Sequence, residues 1–78
     1  IPDFIIPKYE LCIEVKFIKD ISRKSKIIEE INADITAYSK EYKNILFIIY
    51  DLGIIRDETE IKRDIENIDG VNILVIKH

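Results

Sequence analysis

Asn44-Ile45-Leu46-Phe47-Ile48-Ile49-Tyr50 contains the longest unbroken apolar run of this chain, Ile45 to Tyr50, and Asp51 ends it. A run of this length and evenness suits a central strand covered on both faces. It is far too short to span a bilayer. Working back from it, Ile27, Ile31, Ile35, Tyr38 and Tyr42 recur at helical spacing and form one apolar stripe, with Glu30 and Asp34 along its border. This predicts a helix ending near Tyr42, with Ser22 and Ser25 as candidate caps in the polar stretch before it. Working forward, Asp51-Leu52-Gly53 turns the chain. Asp57 and Glu60 have capping-box spacing, and a helix with Ile61, Ile65 and Ile68 inward is expected to reach about Ile68. Gly70 suits the left-handed position after a helix. Val71 to Ile76 is the last strand.

Two more strands precede the first helix. Ile1 to Pro7 is extended, and Leu11, Ile13, Val15 and Phe17 alternate with Glu10, Cys12, Glu14 and Lys16 as on a half-buried strand. The predicted order is β-β-α-β-α-β, an α/β fold with a mixed sheet. Strand–helix–strand connections are nearly always parallel and right-handed. The second, third and fourth strands are therefore expected side by side and parallel, with the first antiparallel at one edge. Both helices then fall on one side. The opposite face lacks cover, so something beyond these elements is expected to pack there.

The first two strands also place charges together. If their connection is symmetric about Lys8-Tyr9, facing positions share a constant sum. Phe4 then faces Ile13, Ile6 faces Leu11, and Asp3 faces Glu14. A two-residue turn or a four-residue loop from Pro7 to Glu10 gives this register; a five-residue loop does not. Like charges across a ladder cost roughly 0.2–1 kcal/mol, and a divalent cation between them reverses the sign. Lys16 follows on the same face as Glu14. Hard cations take one or two carboxylates plus water and substrate phosphate. A nearby lysine can orient water or offset charge on a phosphate. Taken alone, Asp3 also reads as a solvated terminal charge, and Glu14 and Lys16 as the wet face of a strand.

The gross numbers bound the rest. Seventy-eight residues, 47% hydrophobic and 35% charged, make one small globular domain. The absence of an initiator Met leads us to expect a segment of something longer. No basic-then-apolar leader is seen. The single Cys12 cannot form an internal disulfide, which fits a reducing, cytoplasmic setting, and it reads as a small buried filler. A net charge of −3 argues against nucleic-acid binding by charge alone. Lys19, Arg23, Lys24 and Lys26 form one basic cluster, either a phosphate contact or a solvated helix start. The only histidine, His78, is terminal, which leaves a zinc site or a Ser-His-Asp triad without material.

Pro2-Asp3 and Glu14-Val15-Lys16 resemble the PD and (D/E)XK elements of the PD-(D/E)XK nuclease superfamily. Glu29-Glu30-Ile31, Asp34-Ile35-Thr36-Ala37-Tyr38 and Phe47-Ile48-Ile49-Tyr50-Asp51 look closest to DpnII/MboI-like restriction endonucleases. The resemblance covers residues 1–78 as a single nuclease-like domain. It implies Mg2+-dependent cleavage of DNA, with Mn2+ as a substitute, in a restriction or defence system. It assigns Asp3, Glu14 and the Val15 carbonyl to the metal and makes Asp3, Glu14 and Lys16 the catalytic set. Asp34 and Tyr38 fall where related nucleases carry a Gln-x-x-x-Tyr pair; here the first member is Asp. They and Glu30 are the supporting residues, although Tyr38 also reads as a core residue with a polar tip and Glu30 as a helix-surface carboxylate.

The resemblance also departs from its pattern. A restriction-endonuclease-like core begins with a helix and one more strand before the PD element, and this sequence lacks both. An N-terminal segment, another chain or a homodimer partner is therefore expected on the open sheet face, and no membrane. The alternative function is a catalytically incompetent nuclease-like domain that serves as a binding or assembly module. A chance motif in a small α/β interaction domain comes third.

Overall fold

A computed structural model describes residues 1–20, 23–53 and 58–77. Strand β1 spans Phe4–Ile6 and β2 spans Leu11–Ile18. Helix α1 covers Arg23–Tyr38, β3 Asn44–Asp51, α2 Glu58–Ile65 and β4 Val71–Lys77. The sheet order is β1-β2-β3-β4, antiparallel at the first pair and parallel at the other two. It is a small α/β fold with a four-strand mixed sheet.

The hairpin register follows from its loop. Pro7–Tyr9 form one 3-10 turn, which suits a proline at the first position. Glu10 then takes a left-handed conformation (φ 48°) and its N–H donates to the Pro7 carbonyl at 3.0 Å. The connection is thus the four-residue loop, and Phe4 pairs with Ile13, Ile5 with Cys12 and Ile6 with Leu11. Asn44 ties the start of β3 to this loop. Its N–H donates to the Glu10 carbonyl (2.9 Å) and its side-chain amide to the Tyr9 carbonyl (3.0 Å).

One core fills the space between the sheet and both helices. Ile27, Ile31 and Ile35 of α1 and Ile61 and Ile65 of α2 pack on Cys12, Ile18, Ile45, Phe47, Ile49, Val71 and Ile73. The helical stripe is therefore the buried one, and the two helices share a face as expected. On β4, Glu66 Oε2 accepts the Ile73 N–H at 3.1 Å, which closes one position of that strand's outer edge.

Several expectations need correction. The covered half of β2 is Cys12, Glu14 and Ile18; Leu11, Ile13, Val15 and Phe17 lie on the opposite face with Phe4 and Ile6. Strand β3 is buried on alternate residues only, so it is not covered on both faces. Phe4 (59% exposed), Phe17 (52%) and Leu74 (48%) mark the uncovered side. Helix α1 ends at Tyr38, although the Tyr42 N–H still bonds the Tyr38 carbonyl at 2.8 Å. Ser25 lies inside α1 rather than capping it. Helix α2 stops at Ile65, so Ile68 sits in the following turn and is exposed. Strand β1 holds three residues rather than the whole of Ile1 to Pro7. Ser22 and the Asp57 half of the capping box lie outside the described residues, as do the side chains of Arg23 and Lys24.

Candidate active site

The end of β1 meets the middle of β2 at a closed set of hydrogen bonds. The Asp3 N–H donates to Glu14 Oε1 at 3.0 Å, and Asp3 Oδ2 accepts the Val15 N–H at 2.8 Å. The fixed register one residue along, Phe4 with Ile13, dictates this meeting. In an extended strand a residue's carbonyl points to the same side as its N–H. The Val15 carbonyl therefore also faces the Asp3 edge. Asp3 is exposed, whereas Glu14 is buried at 7% exposure.

Helix α1 supplies the inner wall. The Tyr38 hydroxyl donates to Glu14 Oε1 at 3.2 Å. Burial, then the charges of Glu14 and Asp34, push the Tyr38 phenol up to about 12. One turn earlier on the same helix, Asp34 Oδ2 lies 2.8 Å from Lys16 Nζ. This is an ion pair whose direction falls short of a well-aligned hydrogen bond. Glu14 Oε2 and Glu30 Oε2 each lie 3.7 Å from the same ammonium. Burial works to lower the Lys16 pKa, but the Asp34 contact and the charges of Asp34, Glu14 and Glu30 outweigh it and hold the group above an ordinary lysine. Cys12, beneath this cluster, is fully buried, and burial together with the Glu14 charge raises its thiol. It is a core residue.

Asp3, Glu14, Val15, Lys16, Glu30, Asp34 and Tyr38 thus gather at one place: one ammonium among carboxylates, with the excess charge negative. No set of three or more His, Cys, Asp or Glu side chains among the described residues forms a metal cage. The ligand set that the resemblance implies, Asp3, Glu14 and the Val15 carbonyl, would offer two carboxylates and a backbone oxygen. That set fits a hard, octahedral cation that keeps several waters or takes substrate oxygens, and it does not fit zinc.

A second feature was not legible in the hairpin pattern. Because β1 is so short, β2 runs on past it with no described strand paired to that edge. A cleft of about 410 Å³ opens there, lined by Val15, Lys16, Phe17, Lys19, Asp20, Ile27 and Glu30. Sequence reasoning placed Phe17 in the core and gave Asp20 no part. The brevity of β1, bounded by Pro2 and Pro7, was the available signal. Lys19 of the basic cluster lies in this cleft, and Lys26 is exposed on α1. No helix among the described residues is long and apolar enough to cross a membrane.

The sequence model of the DpnII-MboI family, described as REase_DpnII-MboI, matches residues 1–78. No curated protein and no solved structure matches the chain.

Proposed function

This chain belongs to the DpnII-MboI restriction endonuclease family, and we propose that it carries the catalytic site of a divalent-metal-dependent DNA endonuclease of the PD-(D/E)XK type. One observation carries the proposal. Asp3, Glu14 and Val15 close on one another through hydrogen bonds of 3.0 and 2.8 Å, with the Lys16 ammonium 3.7 Å from Glu14. Glu14 is buried beside the Lys16 ammonium, and Asp3 is bonded through its backbone N–H to Glu14 and through its carboxylate to the Val15 N–H. A merely solvated strand face does not need that arrangement.

In this reading Asp3, Glu14 and the Val15 carbonyl hold Mg2+, for which Mn2+ substitutes. A cation of this kind polarises a phosphoryl oxygen and makes hydroxide available at neutral pH. The chain's own residues do the rest. Glu14 is held by the Tyr38 hydroxyl and the Asp3 N–H, so its carboxylate is oriented before any ligand arrives. Lys16 stays charged and offsets the negative charge that develops on the phosphate as water adds to phosphorus and the bond to the leaving oxygen breaks. Asp34 and Tyr38 support these two groups, and Glu30 is the outermost of the acids beside Lys16. The sheet with its two helices corresponds to the site-bearing part of a restriction-endonuclease-like core, and the open face takes a further segment, another chain or a second copy. The cytoplasm is the setting this reading implies.

The test is cleavage of duplex DNA in Mg2+ or Mn2+ by the full-length protein. Lys16→Ala and Glu14→Ala are each expected to lower kcat by about 10²–10³-fold, the scale seen when one preorganised electrostatic contact is removed. EDTA is expected to abolish cutting. If both variants cut like the parent, the catalytic assignment is wrong. If the parent binds duplex without cutting in either metal, the binding-module reading takes its place.

A further inference from the structure

The three carboxylates around Lys16 are not equivalent. Asp34 and Glu14 approach it from the interior; their side chains are 22% and 9% exposed, and neither lines the cleft at the bare edge of β2. Glu30 approaches from the other side. Its side chain is 42% exposed, and it lines that cleft together with Lys16 itself. An anion entering the cleft therefore meets the Lys16–Glu30 pair first.

We propose that this cleft is where a phosphodiester oxyanion of the DNA backbone reaches Lys16, and that Glu30 is the carboxylate that gives up its place to it. The proposal rests on the reading of Lys16 as catalytic. Glu30 carries the same charge and the same kind of oxygen as the incoming group, at 3.7 Å from the ammonium. At 3.7 Å and half exposed, its pairing with the ammonium is screened by water and weaker than that of Asp34. Asp34, at 2.8 Å and more deeply set, stays in place and keeps the ammonium where it is. Lys19 adds a second positive charge at the same cleft and Asp20 a second negative one, so loss of Glu30 from the ammonium leaves the cleft net positive; the volume of about 410 Å³ falls within the range of small-ligand sites. Glu30 thus acts as an internal competitor for the substrate phosphate, and Asp34 as the positioning residue of Lys16.

Duplex DNA binding by the full chain, measured by fluorescence anisotropy with Ca2+ in place of Mg2+, tests this. Glu30→Gln is expected to tighten binding about two- to fivefold, the range open to a half-exposed ion pair. The gain is expected to vanish when Lys16→Met is already present, because the competitor then has nothing to compete for. A gain of equal size in the Lys16→Met background would show a general effect of net charge and overturn the proposal. Unchanged or weaker binding by Glu30→Gln, or no duplex binding by any form, also overturns it. In steady-state cleavage, Glu30→Gln is expected to lower KM, whereas Asp34→Asn lowers kcat with KM little changed and Asp34→Glu restores part of it. A native chain that binds but does not cut removes the catalytic reading alone, since the Glu30–Lys16 coupling is read from binding.

Discussion

Tyr38 shows how one side chain can belong to the core and to the site at once. Its ring lies edge-on to Tyr42 with centroids 6.4 Å apart, and its hydroxyl reaches Glu14. Removing the hydroxyl with Tyr38→Phe is expected to cost about 1 kcal/mol in urea unfolding, the net value of one such hydrogen bond. The raised phenol adds a pH signature. A tyrosine whose folded pKa lies near 12 favours the fold while it is neutral. That contribution is complete below the unfolded value of about 10 and is lost as pH climbs towards 12. Stability is therefore expected to fall between about pH 10 and 12, and to fall less steeply in Tyr38→Phe. Equal slopes would show that the fold does not hold the Tyr38 phenol neutral.

Among the elements, the turn before β4 is the most constrained. Gly70 has φ +80°, and an added Cβ would run into the Lys43 carbonyl, which is backbone and cannot swing aside. The Gly70 carbonyl also accepts the Ile45 N–H at 2.8 Å and so starts the β3–β4 ladder. Gly70→Ala is expected to destabilise by at least about 1–2 kcal/mol, the cost of a side chain in left-handed backbone before the clash is added. Gly53, at φ +96°, has open space around it, so Gly53→Ala meets the backbone penalty alone. Thermal melts of the two variants should rank in that order.

For the whole molecule the decisive feature is an apolar sheet face under no described element. Phe4, Phe17, Leu74 and Ile76 remain well exposed there, while Phe47, Ile49 and Ile73 on the other face are sealed by the helices. A substitution pair reads out this asymmetry. Leu74→Glu is expected to change stability by less than about 1 kcal/mol and to raise solubility, since it places a charge on an exposed strand position. Its neighbour Ile73→Glu puts an unpaired charge in the core and is expected to unfold a domain of this size. If circular dichroism showed both variants equally folded, or both unfolded, the assignment of the two faces would be wrong.

Much of this architecture could be read from residue order. The hairpin register followed from a connection centred on Lys8-Tyr9, which pairs Phe4 with Ile13 and Ile6 with Leu11; a one-residue slip would have moved Asp3 away from Glu14. The α1 stripe and the glycine after α2 were equally legible, since both depend on local geometry. The meeting of Asp3 with Glu14 was implied by that register; the hydrogen bonds through Val15 and Tyr38 were not. Which half of β2 the helices cover was a matter for the tertiary structure. Composition favoured the all-apolar row from Leu11 to Phe17, yet Cys12, Glu14 and Ile18 lie beneath the helices, with Lys16 held among the acids beside them. Two parallel crossovers of one hand set both helices on one side of the sheet, and that constraint outweighs the preference of a single strand. The charges it buries are accommodated because the Lys16 ammonium pairs with Glu14 and Asp34 at once, a pairing made across sequence distances that no local pattern records.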